Sequence, residues 1–305
     1  MSRSLKAHLS LLMVTFIWGT TFVIVKNAIQ DISPLLFNAI RMTVATVCLG
    51  ALYWRKIAKL DVSIFRAGVP VGIFLWLGYE FQTRGLILTT PSKSGFITGV
   101  SVVLVPLFMA LFWKRKINGY TTVGVVCALF GMYLMMVPGG VGSLFSGSSP
   151  VNQGDILTFG CSISFALQII FCGEATRHHA FEPISFLQTA VAMVLMWLSV
   201  PVLEQHPHVI WTPGVFWGIL ITGILGTAVA FTVQAWAQQF TPSTHTALIF
   251  SLEPVFAWLT SWIVLHEHLG WRAGAGAALI LGGVLVSEFL GSAQAVTPQQ
   301  TEELA

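Results

Sequence analysis

Ionisable side chains are rare inside the long apolar stretches of this sequence, so each one is a candidate for chemistry. The chain has 305 residues, of which 9% are charged and 55% are hydrophobic. Glu80 and Arg84 stand four residues apart in an apolar run, and a helix would place them on one face. Glu80 is predicted to line a cavity, as a proton carrier or a contact for a substrate ammonium. The alternative is an ion pair with Arg84 that only fixes helix packing.

Three further polar residues interrupt apolar runs at other places. Arg41 could hold a substrate carboxylate, for which its guanidinium is suited, or it could snorkel to the membrane interface. Asn38 lies about one helical turn earlier and is a second candidate on a similar face. Glu253 precedes Pro254, which removes a backbone hydrogen bond and favours a kink. A carboxylate beside such a kink could form a site, or it could bind a neighbouring helix.

Amides, aromatic rings and one histidine complete the set of candidates. Gln168 and Gln234 lie within apolar runs and could contact a substrate or bridge two helices. The aromatic residues Trp18, Tyr79 and Trp236 could wall a cavity or could simply face lipid. His245 could titrate as part of a site, and the alternative is a histidine at a membrane interface, near the cytoplasmic face.

Other kinds of chemistry find little support in the sequence. The pairs His206-x-His208 and His266-x-His268 match no strong zinc pattern, and no P-loop is found. The four cysteines form no CxxC pair, which predicts free thiols. A net charge of +3 is too small to indicate a nucleic-acid partner. We therefore predict no metal, no cofactor and no nucleic acid.

The elements that must position these residues are membrane-spanning helices. A mean hydropathy of +0.80 with so few charges excludes an ordinary soluble domain, which carries about 25% charged residues. A span needs about 20 mostly apolar residues. Runs of that kind predict ten helices, at roughly 9–27, 36–54, 66–87, 93–113, 120–137, 155–174, 184–203, 214–236, 244–265 and 271–290.

The two halves of the sequence resemble each other. Matching residues lie 149 or 151 positions apart, as in Pro34 with Pro183, Gly72 with Gly223, Thr90-Pro91-Ser92 with Thr241-Pro242-Ser243, and Gly131 with Gly282. We predict a first five-helix repeat over 1–137, a linker over 138–154 and a second five-helix repeat over 155–290. The polar tail over 291–305 is predicted to be disordered and cytoplasmic.

Five spans per repeat is an odd number, which turns the second repeat upside down relative to the first. Cytoplasmic loops attract Lys and Arg. Basic clusters follow the second and fourth spans, at Arg55, Lys56 and Lys59 and at Lys114–Lys116, and the matching positions of the second half carry neither residue. The charges therefore predict inverted repeats with both termini in the cytoplasm.

Several motifs, in this order, carry a resemblance to a known family. They are Phe16-Ile17-Trp18-Gly19-Thr20-Thr21-Phe22, Pro34 with Arg41, Ser94-Gly95-Phe96-Ile97-Thr98-Gly99, Val105-Pro106, Ser251-Leu252-Glu253-Pro254-Val255-Phe256, Leu265-His266-Glu267 and Gly282-Gly283. Over nearly the whole chain the sequence resembles the EamA-like family of the drug/metabolite transporter superfamily. It departs from the family at Lys114–Lys116, where an acidic end is common.

The resemblance implies ten helices around a central cavity and transport of small metabolites, often the export of amino acids. We expect a multi-pass protein of the cell membrane, such as a bacterial inner membrane, that works by alternating access as a monomer or homodimer. Its expected partners are a small metabolite, the lipid bilayer and, as one option for coupling, protons. The alternatives are a membrane-embedded enzyme, for which the sequence offers no nucleophile near the histidines, and a structural or regulatory protein.

Overall fold

The computed structural model of the chain describes residues 3–88, 91–136, 152–265 and 270–295. Most of the predicted linker and tail, as well as His266 and His268, lies outside these residues.

The described residues are almost entirely helical, and their one extended pairing is an isolated bridge between Ile32 and Val209. The helices are α1 (Arg3–Ala28), α2 (Pro34–Ile57), α3 (Val62–Leu88), α4 (Pro91–Gly99), α5 (Ser101–Trp113), α6 (Gly119–Met136), α7 (Gln153–His178), α8 (Phe181–Leu203), α9 (Pro213–Gly223), a π-helical segment (Ile224–Val229), α10 (Ala230–Ala237), α11 (Ser243–Phe250), α12 (Glu253–Leu265) and α13 (Trp271–Ala295).

These helices form ten segments, because α4 continues into α5, α9 continues through the π segment into α10, and α11 continues into α12. Within the described ranges, six segments are long and apolar enough to cross a membrane, and shorter apolar helices lie in the others. Helices suit this environment because lipid offers no partners for backbone N–H and C=O groups. The prediction of an all-α membrane protein with ten helices is confirmed.

Prolines explain one of the interruptions directly. Pro254 has no N–H, and its ring crowds the carbonyl four residues earlier, at Phe250. That residue is where α11 ends, and Ser251 and Leu252 form a turn before α12 begins. In the first half, Val100 is the single residue between α4 and α5, and Pro106 lies within α5. The chain is thus interrupted near the middle of its fourth and ninth segments.

Successive segments alternate in direction, which gives the bundle two ends with different charge. The basic end, as we call it, carries Arg3, Lys6 and the loops 58–61 and 114–118. Ion pairs join the loops and helix ends here, with Nζ of Lys56 3.7 Å from Glu182 and Glu174 3.8 Å from Arg115. The opposite end carries the turn 29–33 and the loop 204–212, joined by the Ile32–Val209 bridge.

The contacts between helices combine the two halves of the chain. Helix α3 packs on α7 and α8, α2 packs on α8 and α9, and α6 packs on α13. Helix α1 packs on α10 and α12, while α4 and α5 pack on α7. The ten segments are numbered here in chain order. If segments 1–5 are exchanged with segments 6–10, the contact between segments 1 and 9 becomes the contact between 6 and 4, and the contact between 3 and 7 becomes the contact between 8 and 2. All four contacts are present.

Candidate functional site

A cavity lies between the two halves of the bundle, next to both interrupted segments. It has an empty volume of about 870 Å³, which includes open space at its mouth. Helices α1 to α5 line it from the first half, and α7, α10, α11 and α12 line it from the second. Gly99 and Ser101 flank the first interruption, whereas Phe250 and Glu253 flank the second. The cavity therefore lies where the fourth and ninth segments lose their helical regularity.

Arg41 contributes a buried positive charge to the cavity wall. Its Nε donates to Oγ1 of Thr227 at 2.8 Å, and its Nη2 donates to the hydroxyl of Tyr79 at 2.8 Å. Nη2 also lies 3.3 Å from the carbonyl oxygen of Gly226. These bonds hold the guanidinium among neutral partners, and the bonds found among the described residues leave Nη1 unused. Arg41 is thus oriented by the protein and keeps donors for a ligand.

The π-helical segment explains why Gly226 can accept these bonds. In an α-helix the carbonyl of Gly226 would accept from the N–H of Ala230. Here the N–H of Ala230 donates to the carbonyl oxygens of Leu225 and Thr227 instead. The carbonyl of Gly226 is released, and it accepts from Nε1 of Trp18 at 2.9 Å as well as from Arg41. Single π turns of this kind are frequent at functional sites.

Glu253 contributes the negative charge of the cavity. It lies in the first turn of α12, where the helix dipole favours an anionic side chain. Its side chain is half-buried and lines the cavity. Among the described residues, its carboxylate has no hydrogen-bond donor and no basic partner within 4.0 Å. The carboxylate of Glu253 therefore differs from the guanidinium of Arg41, which is held by neutral hydrogen-bond partners, in having no partner from the described protein.

Aromatic rings close the cavity on the side of the basic end. The ring of Trp18 lies 4.8 Å from that of Phe250 and 5.3 Å from that of Phe231, between centroids. Tyr79 contacts Phe165 and Phe231 edge to face, at 5.5 Å and 6.2 Å. Beyond this layer, the first half of α1 is buried against α10 and α11 in one apolar cluster. By contrast, the lining residues of α1 and α3 extend toward the opposite end.

The structure places Glu80 on another face of α3, outside the cavity lining. Its Oε1 accepts from Oγ of Ser199 at 2.6 Å and from Nε1 of Trp76 at 3.2 Å. No contact within 4.0 Å joins Glu80 to Arg84 in the described structure. Asn38 also lies behind the cavity wall, where its Nδ2 donates to Oγ1 of Thr83 at 2.9 Å. These residues connect helices, while Thr83 itself faces the cavity.

Gln168 lines the cavity, and Gln234 lies behind it in a chain of amides. Nε2 of Gln234 donates to Oε1 of Gln168 at 3.1 Å, and Nε2 of Gln168 donates to Oε1 of Gln188 at 2.9 Å. Gln238 joins the same chain. Sequence reasoning missed Gln188 and Gln238, although the signal that indicated the other two, an amide within an apolar run, also applies to Gln188.

Two candidates from the sequence lie nearer the basic end. Trp236 packs on Phe240 with 5.5 Å between ring centroids, in the apolar cluster below the cavity. His245 is half-buried in the first turn of α11. The structure thus brings Trp18, Arg41 and Tyr79 together with Gln168 and Glu253. It leaves Glu80, Arg84, Asn38, Gln234, Trp236 and His245 outside the cavity lining.

Thr227 and the carbonyl of Gly226 are site groups that sequence reasoning missed. Both depend on the π-helical segment, which no proline marks. Gly223 and Gly226 are the nearby residues that could suggest an irregular helix. Glycine is nevertheless common in membrane helices, where it permits close packing, so it does not indicate a π-helical segment. A backbone irregularity of this kind has no signature in hydropathy.

Comparison with known proteins agrees with this architecture. A relative from Archaeoglobus fulgidus, an uncharacterized transporter, is 35% identical over 291 residues, covering 93% of this chain and 86% of its own. The uncharacterized transporter YoaV of Bacillus subtilis is 25% identical over 287 residues, covering 93% and 97%. A crystal structure with 16% identity matches with a TM-score of 0.75, over 95% of this chain and 98% of that one, which shows a shared fold.

The family assignment follows from the match over both halves of the chain. The model of the EamA-like transporter family matches residues 5–137 and again residues 152–289. Together with the relative that is 35% identical, this covers nearly all the described helices. The chain therefore belongs to the EamA-like transporter family.

Proposed function

We propose that this protein is a secondary transporter that exports small zwitterionic metabolites of the amino-acid class by alternating access. The observation that carries the proposal is that Arg41 and Glu253, two residues of opposite charge that do not contact each other, line one cavity between the two halves. Membership of a transporter family favours transport over catalysis, and the cavity supplies a place for the transported molecule.

Opposite charges on the cavity walls suit a ligand that carries both charges itself. Arg41 presents a guanidinium that is already oriented by Thr227 and Tyr79, which lowers the cost of fixing it on binding. A substrate carboxylate can accept from this guanidinium, and a substrate ammonium can donate to the carboxylate of Glu253. The remaining lining is largely aromatic and apolar, which leaves room for a side chain.

Alternating access is supported by the correspondence of the two halves. The interruptions at Val100 and at Ser251-Leu252 lie 151 positions apart, which is the spacing of the matching glycines. The helix contacts also occur in pairs related by exchanging the halves. We propose that residues 1–137 and 155–290 form two inverted repeats that rock against each other. Transporters built from such repeats hold their substrate at broken helices near the membrane centre.

The distribution of charge supports an orientation in the membrane. Of the 15 Lys and Arg residues, ten lie toward the basic end, four lie toward the opposite end and Arg41 lies between. Because cytoplasmic segments are enriched in Lys and Arg, we propose that the basic end faces the cytoplasm. The cavity extends toward the opposite end, so this conformation would be the one that releases an exported substrate outside.

Proton coupling is proposed to act through Glu253. An unpaired carboxylate within a membrane is costly unless a cation or a proton neutralises it. A substrate ammonium would provide that neutralisation while bound, and a proton would provide it on the return step. We expect an imposed proton gradient to raise the rate of transport by the native protein. The rate of transport by Glu253→Gln should be the same with and without the gradient.

The experiment that tests the proposal is counterflow into proteoliposomes made with the purified protein. Vesicles are loaded with one unlabelled amino acid at a time, and entry of the same labelled amino acid is followed. We expect saturable entry of at least one amino acid. The same amino acid as its C-terminal amide or its N-acetyl derivative should compete at least 10-fold less well, since each derivative lacks one charge. Absence of saturable entry for all amino acids would exclude this substrate class.

A further inference from the structure

Four glutamines on three helices form a buried chain that begins at the cavity. Gln168 lies on α7, Gln188 on α8 and Gln234 on α10, while Gln238 directly follows α10. All four side chains are buried. Such a set is costly in a membrane protein, where apolar side chains would pack without any requirement for partners.

The chain of hydrogen bonds has a fixed direction. Gln238 donates through Nε2 to the backbone carbonyl of Ile169 at 2.8 Å, and a carbonyl can only accept. This orients the amide of Gln238, whose Oε1 accepts from Nε2 of Gln234 at 3.1 Å. Gln234 must then donate to Gln168, and Gln168 must donate to Gln188. Turning any one amide over would place two donors or two acceptors together.

Stability alone does not account for this chain. Nε2 of Gln188 and Oε1 of Gln234 are buried and have no partner among the described residues. Buried polar groups without partners cost free energy, and a network with gaps is less favourable than an apolar core. The arrangement is therefore better explained by a conformational change in which these amides become accessible to water.

At its far end, the chain fastens α7 to the start of α11. The carbonyl of Ile169 accepts from Gln238 and lies 3.4 Å from Oγ of Ser243. Next to it, α7 approaches so closely that a Cβ added to Gly173 would lie 2.4 Å from Oγ of Ser243 and 3.1 Å from Nε2 of Gln238. A side chain at position 173 would have to displace the hydroxyl of Ser243, and this contact lies between the cavity and the basic end.

We propose that the glutamine chain, Gln168, Gln188, Gln234 and Gln238, is the gate between the cavity and the basic end, with Gln168 as its substrate-facing member. The proposal rests on the alternating access proposed above. In the present conformation the gate is closed by hydrogen bonds between α7 and the α10–α11 junction. Opening separates these helices, and water replaces the broken bonds at small net cost. The amide of Gln168 lies in the cavity wall and also belongs to the glutamine chain. A substrate that contacts this amide would therefore affect the hydrogen bonds of the gate.

A cross-link tests whether α7 and α11 separate during transport. The added Cβ of Gly173 would lie 3.7 Å from Cβ of Ser243, within the range of disulfides. The variant Gly173→Cys/Ser243→Cys is made in a chain whose native cysteines are replaced. Oxidation should lower counterflow at least 10-fold and reduction should restore it, with oxidised Ser243→Cys as control. Counterflow that is equal in the cross-linked and reduced proteins would overturn the gate.

Labelling tests the role of the glutamines without requiring transport. Ser243→Cys, again without native cysteines, is exposed in proteoliposomes to a membrane-impermeant maleimide on the side of the basic end. Gln234→Ala and Gln238→Ala should each raise the labelling rate at least 10-fold, because the closed state loses its hydrogen bonds. The matched control is Gln30→Ala, an exposed glutamine at the opposite end.

The outcomes separate this inference from the proposed function. Unchanged labelling in both glutamine variants would overturn the gate even if counterflow is found. Accelerated labelling in a protein without amino-acid counterflow would support the gate and contradict the proposed substrate class. If a glutamine variant does not fold, as judged by its elution in gel filtration, the cross-link alone decides.

Discussion

At the scale of single residues, the two charged groups of the cavity differ in their hydrogen bonds: the cation has partners in the protein, and the anion has none among the described residues. Arg41 is held by Thr227, Tyr79 and the carbonyl of Gly226, so its position does not depend on a ligand. Glu253 has no such partners in the described structure. The two residues are therefore expected to respond differently to substitution of their surroundings, since only Arg41 is positioned by its neighbours.

Thr227→Val tests the positioning of Arg41. Valine keeps the shape of threonine but removes the hydroxyl that accepts from Nε at 2.8 Å. A hydrogen bond to a charged group contributes about 1.5–3 kcal/mol, so we expect KM for the transported substrate to rise about 10-fold or more. Thr232→Val, on the same segment but outside the cavity lining and without contact to Arg41, is the control. An unchanged KM in Thr227→Val would contradict the role of Thr227.

Glu80→Ala separates a structural role from a role in the cavity. The substitution leaves the hydroxyl of Ser199 and the indole N–H of Trp76 without their shared acceptor. We expect the free energy of unfolding to fall by about 1–3 kcal/mol, which would appear as a lower Tm in detergent. The KM for the transported substrate should change little. The prediction from sequence that Glu80 contacts the substrate would instead be supported by a normal Tm with a greatly raised KM.

At the scale of elements, the site depends on a close approach of α1 to α12. A Cβ on Gly19 would lie 2.6 Å from Cβ of Phe256 and 2.8 Å from the backbone nitrogen of Ala257. Gly19 is therefore required where these two helices meet. The contact also fixes Trp18 on one helix relative to Glu253 on the other, so packing and site geometry are linked.

Gly19→Ala is expected to force α1 and α12 apart. Overpacking of a tight contact costs about 1–3 kcal/mol, which should appear as a lower Tm together with a reduced rate of counterflow. Gly282→Ala on α13 is the matched control, because a Cβ there meets no described atom within 4 Å. If both alanine variants unfold at the temperature of the native protein, the close approach is not essential.

Hydropathy and prolines predict the segments well and their interruptions only in part. The predicted span 9–27 corresponds to α1, and the proline at position 254 indicated the kink at which α11 ends. The π-helical segment gives no such signal, because it arises from how the backbone packs. Because the sequence gives no signal for the π-helical segment, it could suggest Arg41 as a ligand for a carboxylate but could not identify Thr227 and Gly226 as the partners of Arg41.

At the scale of the whole molecule, the sequence says little about which face of a helix meets the cavity. In water, an apolar stripe marks the buried face of a helix, whereas in a membrane both lipid and protein interior are apolar. Glu80 and Tyr79 are neighbours in α3, yet Tyr79 lines the cavity and Glu80 binds Ser199 on α8. Only the assembled bundle distinguishes them.

The proposed orientation is tested by cysteines at the two ends of the bundle. In a chain without native cysteines, Lys59→Cys lies in a loop of the basic end and His206→Cys lies in a loop of the opposite end. In intact cells, a membrane-impermeant maleimide should label the cysteine at position 206 and spare the one at position 59 until the membrane is permeabilised. Immediate labelling at position 59 alone would reverse the proposed orientation.

The central claim, that Arg41 and Glu253 bind opposite charges of one substrate, is tested most directly by calorimetric titration. The transported amino acid, its C-terminal amide and its N-acetyl derivative are compared on the native protein, Arg41→Gln and Glu253→Gln. The native protein should bind both derivatives about 10- to 100-fold more weakly. Arg41→Gln should lose discrimination against the amide only, and Glu253→Gln against the N-acetyl derivative only. Native discrimination retained by both variants would contradict the claim.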